Sequence, residues 1–262
     1  MSDPRPVIVM VHGMWGNAMA WDNYRPFFED RGYRVLTPSL RHHGQPGDTP
    51  DPALATTSLL DYADDLQALI AGLEEKPVVM GHSMGGLIAQ MLAARGLARA
   101  AVFLTPAAPA GIIALTPTVI RTFWRIMRTW GFWHMVTFPT LKEASYAVYN
   151  LLPPLEQQAE YAKLVPESGR ATFEIGFWTL DRRRAARVDA AAVICPVLTV
   201  GAARDRITPA RVVQKVAARY PAGTYIEFPD HAHWVLGEHG WQDVAAFCAE
   251  WLGDQGLAPE AA

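Results

Sequence analysis

The sequence predicts an α/β chain organised on a mostly parallel sheet of about six strands, with helices on both faces and a helical lid inserted between two of the strands. Three observations carry that prediction. Short apolar runs rich in β-branched residues, Val7-Ile8-Val9-Met10-Val11 foremost, lack the alternation of a strand with one wet face and so mark strands buried on both sides. Helix-length stretches separate these runs, as parallel neighbours require. Residues 109–187 contain no strand-like run and offer helical pieces instead, which reads as an insertion into an otherwise regular alternation.

In chain order, the first run ends at His12-Gly13-Met14-Trp15-Gly16. A helix over residues 17–30 and a strand over residues 34–40 follow, closing on Arg41-His42-His43-Gly44. Ser58 can cap a helix in which Leu60, Ala63, Leu66, Leu69, Ile70 and Leu73 recur at helical spacing. The strand-like Pro77-Val78-Val79-Met80 leads into Gly81-His82-Ser83-Met84-Gly85 and at once into a helix-compatible run through Ala94. Residues 101–104 make the next strand.

Within the insertion, Thr116 before Pro117 is a cap with a first-turn proline, and Thr140 with Glu143 matches a capping box. Its first helix places Val119, Phe123, Ile126, Met127 and Trp130 on one side and Arg121, Arg125 and Arg128 on the other; Tyr146, Tyr149, Tyr161, Phe173, Phe177 and Trp178 follow. Each ring taken singly fits the insertion's own small core. Together they exceed what so short a segment hides, so some are expected to line an apolar pocket. The alternation resumes with a strand over residues 193–201, the loop Ala202-Ala203-Arg204-Asp205-Arg206-Ile207, and a helix opened by Thr208 and Pro209. A strand over residues 224–228, the loop Pro229-Asp230-His231-Ala232-His233-Trp234 and a closing helix over residues 240–252 complete the chain. The expected division is residues 1–108 with 188–262 as the core and 109–187 as the lid.

At 262 residues, half of them hydrophobic, the chain can bury one substantial core. A net charge of -3 argues against a nucleic-acid or anionic-membrane surface. Met1-Ser2-Asp3-Pro4 opens no basic region followed by a long apolar segment, so no secretory leader is expected. Residues 100–120 are uncharged and about as long as a membrane span, but Pro106, Pro109, Gly111 and Pro117 break them, and no membrane insertion is expected. Cys195 and Cys248 read as small core residues in a reducing, cytoplasmic compartment. A homodimer is compatible with the sequence.

The chemistry concentrates at Gly81-His82-Ser83-Met84-Gly85. A serine at the tip of so tight a strand-to-helix turn needs nearly side-chain-free neighbours two residues to either side, which Gly81 and Gly85 provide. The following helix aims free N–H groups and its positive end at the space beside Ser83. A glycine-rich turn of a nucleotide-binding protein shares this composition, so the rest of the chain must discriminate. Ligand sites in open α/β sheets lie beyond the carboxyl ends of the strands. Ser83, Asp205 and the His231/His233 pair all fall in such loops, in the order Ser, Asp, His.

These residues resemble the α/β-hydrolase fold superfamily, close to its serine esterase and lipase-like members with a helical cap. The likeness rests on His12-Gly13 after the first strand, Arg41-His42-His43-Gly44 as an R-G-H-G-like turn, the Gly81 to Gly86 turn, and Asp205 and His233 in late loops. It spans nearly the whole sequence. It implies a sheet of about six strands, because the chain begins almost at the family's third strand.

Ser83 is then the nucleophile, His233 its base and Asp205 the carboxylate that holds the imidazole. His231 is the rival base, but Trp234 after His233 resembles the family's G-H-W-like pattern; Asp230 and Glu238 are rival acids standing close to the histidine in sequence. The backbone N–H groups of Met84 and Met14, with Trp15 as a substitute for the latter, are expected to form an oxyanion hole. Trp15, Phe123, Trp124, Met127, Trp130 and Trp234 are the expected substrate-binding residues. His82, His42 and His43 are expected to be structural. His231-x-His233 lacks further metal ligands nearby in sequence, and neither metal nor organic cofactor is expected.

The implied activity is hydrolysis of a small apolar ester or lactone through an acyl-serine. The same residues serve C–C bond hydrolysis, amide hydrolysis, perhydrolysis and acyl transfer. Haloalkane dehalogenation needs a carboxylate where Ser83 stands. A non-catalytic small-molecule receptor is the reading from another class.

Overall fold

The computed structural model describes residues 5–259, so the expectation placed on Met1 to Pro4 lies outside the described residues. In chain order they form β1 (Val7–Val11), α1 (Tyr24–Glu29), β2 (Arg34–Leu36), α2 (Leu59–Ala71), β3 (Val78–His82), α3 (Met84–Ala94) and β4 (Ala100–Leu104). Then come α4 (Pro117–Met127), β5 (Val136–Thr137), α5 (Leu141–Ala147), α6 (Pro154–Tyr161), β6 (Glu167–Ser168) and α7 (Gly169–Gly176). The chain closes with β7 (Val197–Ala202), α8 (Ala210–Ala217), β8 (Thr224–Phe228) and α9 (Trp241–Asp254).

Six of the strands form one sheet in the order β2-β1-β3-β4-β7-β8, every neighbouring pair parallel. Successive side chains of a strand point to opposite faces, and β1 shows why its run is apolar throughout. Val9 and Val11 enter one core with Leu59 and Leu66 of α2, Leu87 of α3 and Val212 of α8. Ile8 and Met10 enter the other with Tyr24 and Phe28 of α1 and Val244 and Trp251 of α9. Helices thus cover both faces, as the sequence predicts.

Prolines set the boundaries that periodicity alone misplaces. The expected helix over residues 17–30 is split into a tighter turn, Ala18–Trp21, and α1, whose first turn accommodates Pro26, a residue without an N–H. The strand expected to reach residue 40 stops at Leu36, two residues before Pro38, and β7 begins only after Pro196. The caps fall where the sequence puts them: Ser58 with Asp61 on α2, Thr116 and Pro117 on α4, Thr140 with Glu143 on α5. Cys195 and Cys248 are unpaired thiols.

The segment between β4 and β7 is helical, as expected, with one difference. Val136–Thr137 and Glu167–Ser168 pair as a two-stranded antiparallel ribbon, each strand too short to leave a period-2 pattern in the sequence. The segment leaves and rejoins the sheet at adjacent points. Ala110 N–H donates to the Ala186 carbonyl at 2.8 Å, and the Arg219 guanidinium, just past α8, donates to the carbonyls of Ala110 (3.2 Å) and Val188 (2.7 Å).

Two buried carboxylates hold one flank of the segment to the sheet domain. Glu174 of α7 accepts from Ser58 Oγ and Leu59 N–H at the start of α2, 2.8 and 2.9 Å. Glu167 of β6 meets Tyr62 Oη at 2.7 Å and His43 Nε2 at 3.1 Å. Among the described residues no helix is long and apolar enough to cross a membrane.

Candidate active site

The turn after β3 is built on close backbone approach. A Cβ on Gly81 would collide with the Gly85 carbonyl, and one on Gly85 with the Val11 carbonyl of β1, so both positions exclude any larger residue. Between them Ser83 has φ +54° and ψ -118°, a conformation costly for a residue with a side chain and sustained here by its surroundings. Ser83 N–H donates to the Leu104 carbonyl at 3.0 Å, and the Ser83 carbonyl accepts from Ala107 N–H at 2.8 Å. The strained turn is therefore fastened to the end of β4 on one side and to the loop after it on the other.

Asp205 stands in the loop leaving β7 and His233 in the loop leaving β8, so the sheet order brings both beside Ser83. Asp205 Oδ2 lies 2.7 Å from His233 Nδ1, and His233 Nε2 lies 2.9 Å from Ser83 Oγ. A carboxylate only accepts, so Nδ1 carries the ring proton and Nε2 is free to accept the serine's. Ile207 and Thr208 N–H groups donate to Asp205 Oδ1 at 2.7 and 2.8 Å, and Thr208 Oγ1 lies 2.8 Å from Oδ2. Burial pushes the Asp205 pKa up, but the adjoining His233 and these hydrogen bonds outweigh it and hold the carboxyl below its usual range.

The rival residues are engaged elsewhere. His231 Nδ1 meets Glu238 Oε1 at 2.9 Å, and the same oxygen accepts from Ala232 N–H at 2.8 Å. Asp230 pairs with Arg204 on the surface. Histidines 231 and 233 thus serve different carboxylates, and among the described residues no group of three or more His, Cys, Asp or Glu side chains is arranged to hold a metal ion.

Met84 opens α3, where the first N–H groups lack an intrahelical partner. Met14 follows β1, and both residues line a cavity of about 340 Å³ that also contacts Ser83 and His233. Its walls are mostly apolar: Trp15, Trp234, Ala107 and Ile207 from the sheet loops, and Phe123, Met127, Phe132, Leu164, Phe177 and Trp178 from the β4–β7 segment. Trp15 stacks on Phe123 with centroids 5.5 Å apart, and its carbonyl accepts from Val165 N–H at 2.9 Å.

Two expected lining residues stand apart from this cavity. Trp124 is 57% exposed and Trp130 88% exposed. With Val119 and Ile126 buried and Phe123 and Met127 toward the cavity, residue 124 projects from the opposite side of α4; Trp130 lies past the helix end, edge-on to Trp133. Phe132 and Leu164, which do line the cavity, lie in the tight turns around the ribbon, where no amphipathic period marks them. Thr208 was legible only as a helix-opening residue, and His82 and Thr105 carried no sequence signal for the contacts they make with the His233 loop.

The sequence profile of the Alpha/beta hydrolase family matches residues 8–247, and the chain belongs to that family. The sn-1-specific diacylglycerol lipase of Mus musculus is 38% identical over 90 residues, an alignment covering 34% of this chain and 28% of that protein. The chain thus aligns with about a quarter to a third of the length of such curated relatives. Among solved structures, a methylesterase from Arabidopsis superposes with a TM-score of 0.71 at 15% identity, covering 95% of this chain and 99% of that one. The monoacylglycerol lipase of Paleococcus ferrophilus gives a TM-score of 0.69 at 20% identity over 95% and 96% of the two chains.

Proposed function

We propose that the protein is a serine hydrolase that cleaves a small apolar carboxylic ester, cyclic esters included, through an acyl-serine intermediate. The reading rests above all on the continuous relay from Asp205 through His233 to Ser83, with contacts of 2.7 and 2.9 Å. As Ser83 Oγ bonds to the acyl carbon, its proton passes to His233 Nε2, and Asp205 stabilises the imidazolium that results. The carbonyl oxygen takes up the negative charge between the N–H groups of Met84 and Met14. Collapse expels the alcohol, which takes the proton from His233. Water then attacks the acyl-serine by the same route in reverse, releasing the acid and restoring Ser83.

The substrate class follows from the walls. An apolar cavity of about 340 Å³ is at the small end of ligand pockets and suits an uncharged chain or ring. In this reading residues 109–187 act as the cap that closes it. The names of the matched proteins, lipases and a methylesterase, agree with ester chemistry.

Replacing Ser83 by Ala is expected to remove turnover of short p-nitrophenyl esters by roughly 10³-fold or more. A fluorophosphonate is expected to add its mass to Ser83 and no other residue. Full activity of Ser83→Ala ends the proposal.

A further inference from the structure

Between the Ser83 turn and the His233 loop lies a second imidazole that the proton relay does not use. His82 is the last residue of β3, so it shares a rigid backbone with the nucleophile. It is buried; its Nε2 is 2.8 Å from the His233 carbonyl oxygen, and its ring centroid is 4.9 Å from that of His233. A carbonyl only accepts, so Nε2 carries the proton and donates. Trp234 packs edge-on against the same ring at 5.8 Å. On the far side a Cβ at Gly13 would stand 3.0 Å from His82 Nδ1, so the ring also abuts the loop that carries Met14.

We propose that His82 is a positioning residue, whose Nε2–H fixes the His233 backbone, and through it the imidazole, at the separation from Ser83 Oγ at which the proton passes. The inference rests on Ser83, Asp205 and His233 acting as a triad. The rest of the loop shows why this contact matters. Upstream, Ala232 N–H is tied to Glu238, an attachment outside the relay. The His233 carbonyl is the point where the base is fastened to the nucleophile's own strand. Thr105, held at φ +39° just past β4, brings its Oγ1 to 3.4 Å from the same carbonyl as a weaker second contact.

Charge argues the same way. During attack the neighbouring His233 becomes an imidazolium, and a second charged ring at 4.9 Å would oppose that step. Burial above all, with the nearby His233 acting in the same direction, pushes the His82 pKa down to about 3. His82 therefore remains a neutral donor while its neighbour cycles.

The test compares His82→Met, which lacks a donor, with His82→Gln, of similar length and carrying an amide N–H. Both are assayed by steady-state ester hydrolysis and by the rate constant for fluorophosphonate labelling of Ser83. The Met variant is expected to lose roughly 10- to 100-fold in kcat and in labelling rate, with KM changed less than about twofold, the scale of a small displacement of a reacting group. The Gln variant is expected to regain most of that loss. A merely structural role would make the two variants follow their melting temperatures instead. Should His82→Met not fold, His82→Phe keeps a ring against Trp234 without the donor and replaces it in the comparison. Wild-type protein labelled at Ser83, with donor-less and Gln variants labelled equally fast, overturns this inference alone. Wild-type protein that neither hydrolyses esters nor takes the phosphonate overturns the triad reading and this inference with it.

Discussion

The loops at the carboxyl ends of the strands and the segment between β4 and β7 meet at one cavity, yet they are held in place differently. On the sheet side, Ser83 and Thr105 adopt positive φ, and Asp205 accepts from named backbone and side-chain donors. Ser83 and Thr105 are fixed by N–H bonds to the Leu104 and Val200 carbonyls of buried strands, and Asp205 by donors of its own loop. On the segment side, short helical pieces are joined by ring contacts such as Phe132 with Phe177 at 5.9 Å and Trp133 with Phe173 at 5.4 Å. Ring pairs favour stacked or edge-on arrangements but accept a range of separations, so they conserve a surface more than single distances. On the proposed function the difference separates rate from selectivity: bond-making tolerates little displacement, whereas accommodation of an apolar chain tolerates repacking.

The sharpest way to break this division is Asp205→Asn. It preserves shape and removes the charge that sets the His233 tautomer, and kcat should fall by roughly 10⁴-fold while the melting temperature hardly moves. A comparable loss from any single ring in the segment would refute the division. Phe123→Ala should instead lower kcat/KM for longer acyl esters by roughly tenfold, through KM, and leave acetyl esters nearly untouched.

A smaller effect falls on the seam. Glu174→Ala leaves Ser58 Oγ and Leu59 N–H without their carboxylate and should reduce stability by about 1–3 kcal/mol, read as a lower melting temperature with kcat retained. The seam also predicts a pH dependence. Burial pulls the His43 pKa down, but the Glu167 carboxylate, by charge and hydrogen bond, more than reverses this and raises it above 6.5. A raised folded pKa means the stabilisation is complete below 6.5 and is lost as pH rises through the folded value. The melting temperature should decline over that range, and His43→Asn should flatten the decline. Smallest of all, Trp130→Ala should change activity less than about twofold, because the ring is exposed and does not line the cavity.

The strands and the placing of Ser83, Asp205 and His233 in loops past strand ends were legible because each is local: an apolar run, a G-x-S-x-G turn, a loop after a strand. What sequence reasoning misplaced depends on distant partners. Helical spacing separated the inward side of α4, Val119, Phe123, Ile126 and Met127, from its arginines, but Trp124 stands on the arginine side and Trp130 lies past the helix end, so neither reaches the cavity. Glu167 and Glu174 carry no sequence signal, and only their burial against His43, Tyr62 and Ser58 gives them a role. His82 was legible as a structural residue of the turn, but not by its partner, a carbonyl 151 residues away.

Arg219 gives the architecture one more consequence. By clasping Ala110 and Val188 together it makes the two ends of the intervening chain a single short opening in the sheet domain. A different bridge across that opening would still have to replace the partners that Glu167 and Glu174 give to His43, Tyr62 and Ser58. A chimaera grafted between Ala110 and Val188 that keeps those partners would have ends already held at a fixed spacing.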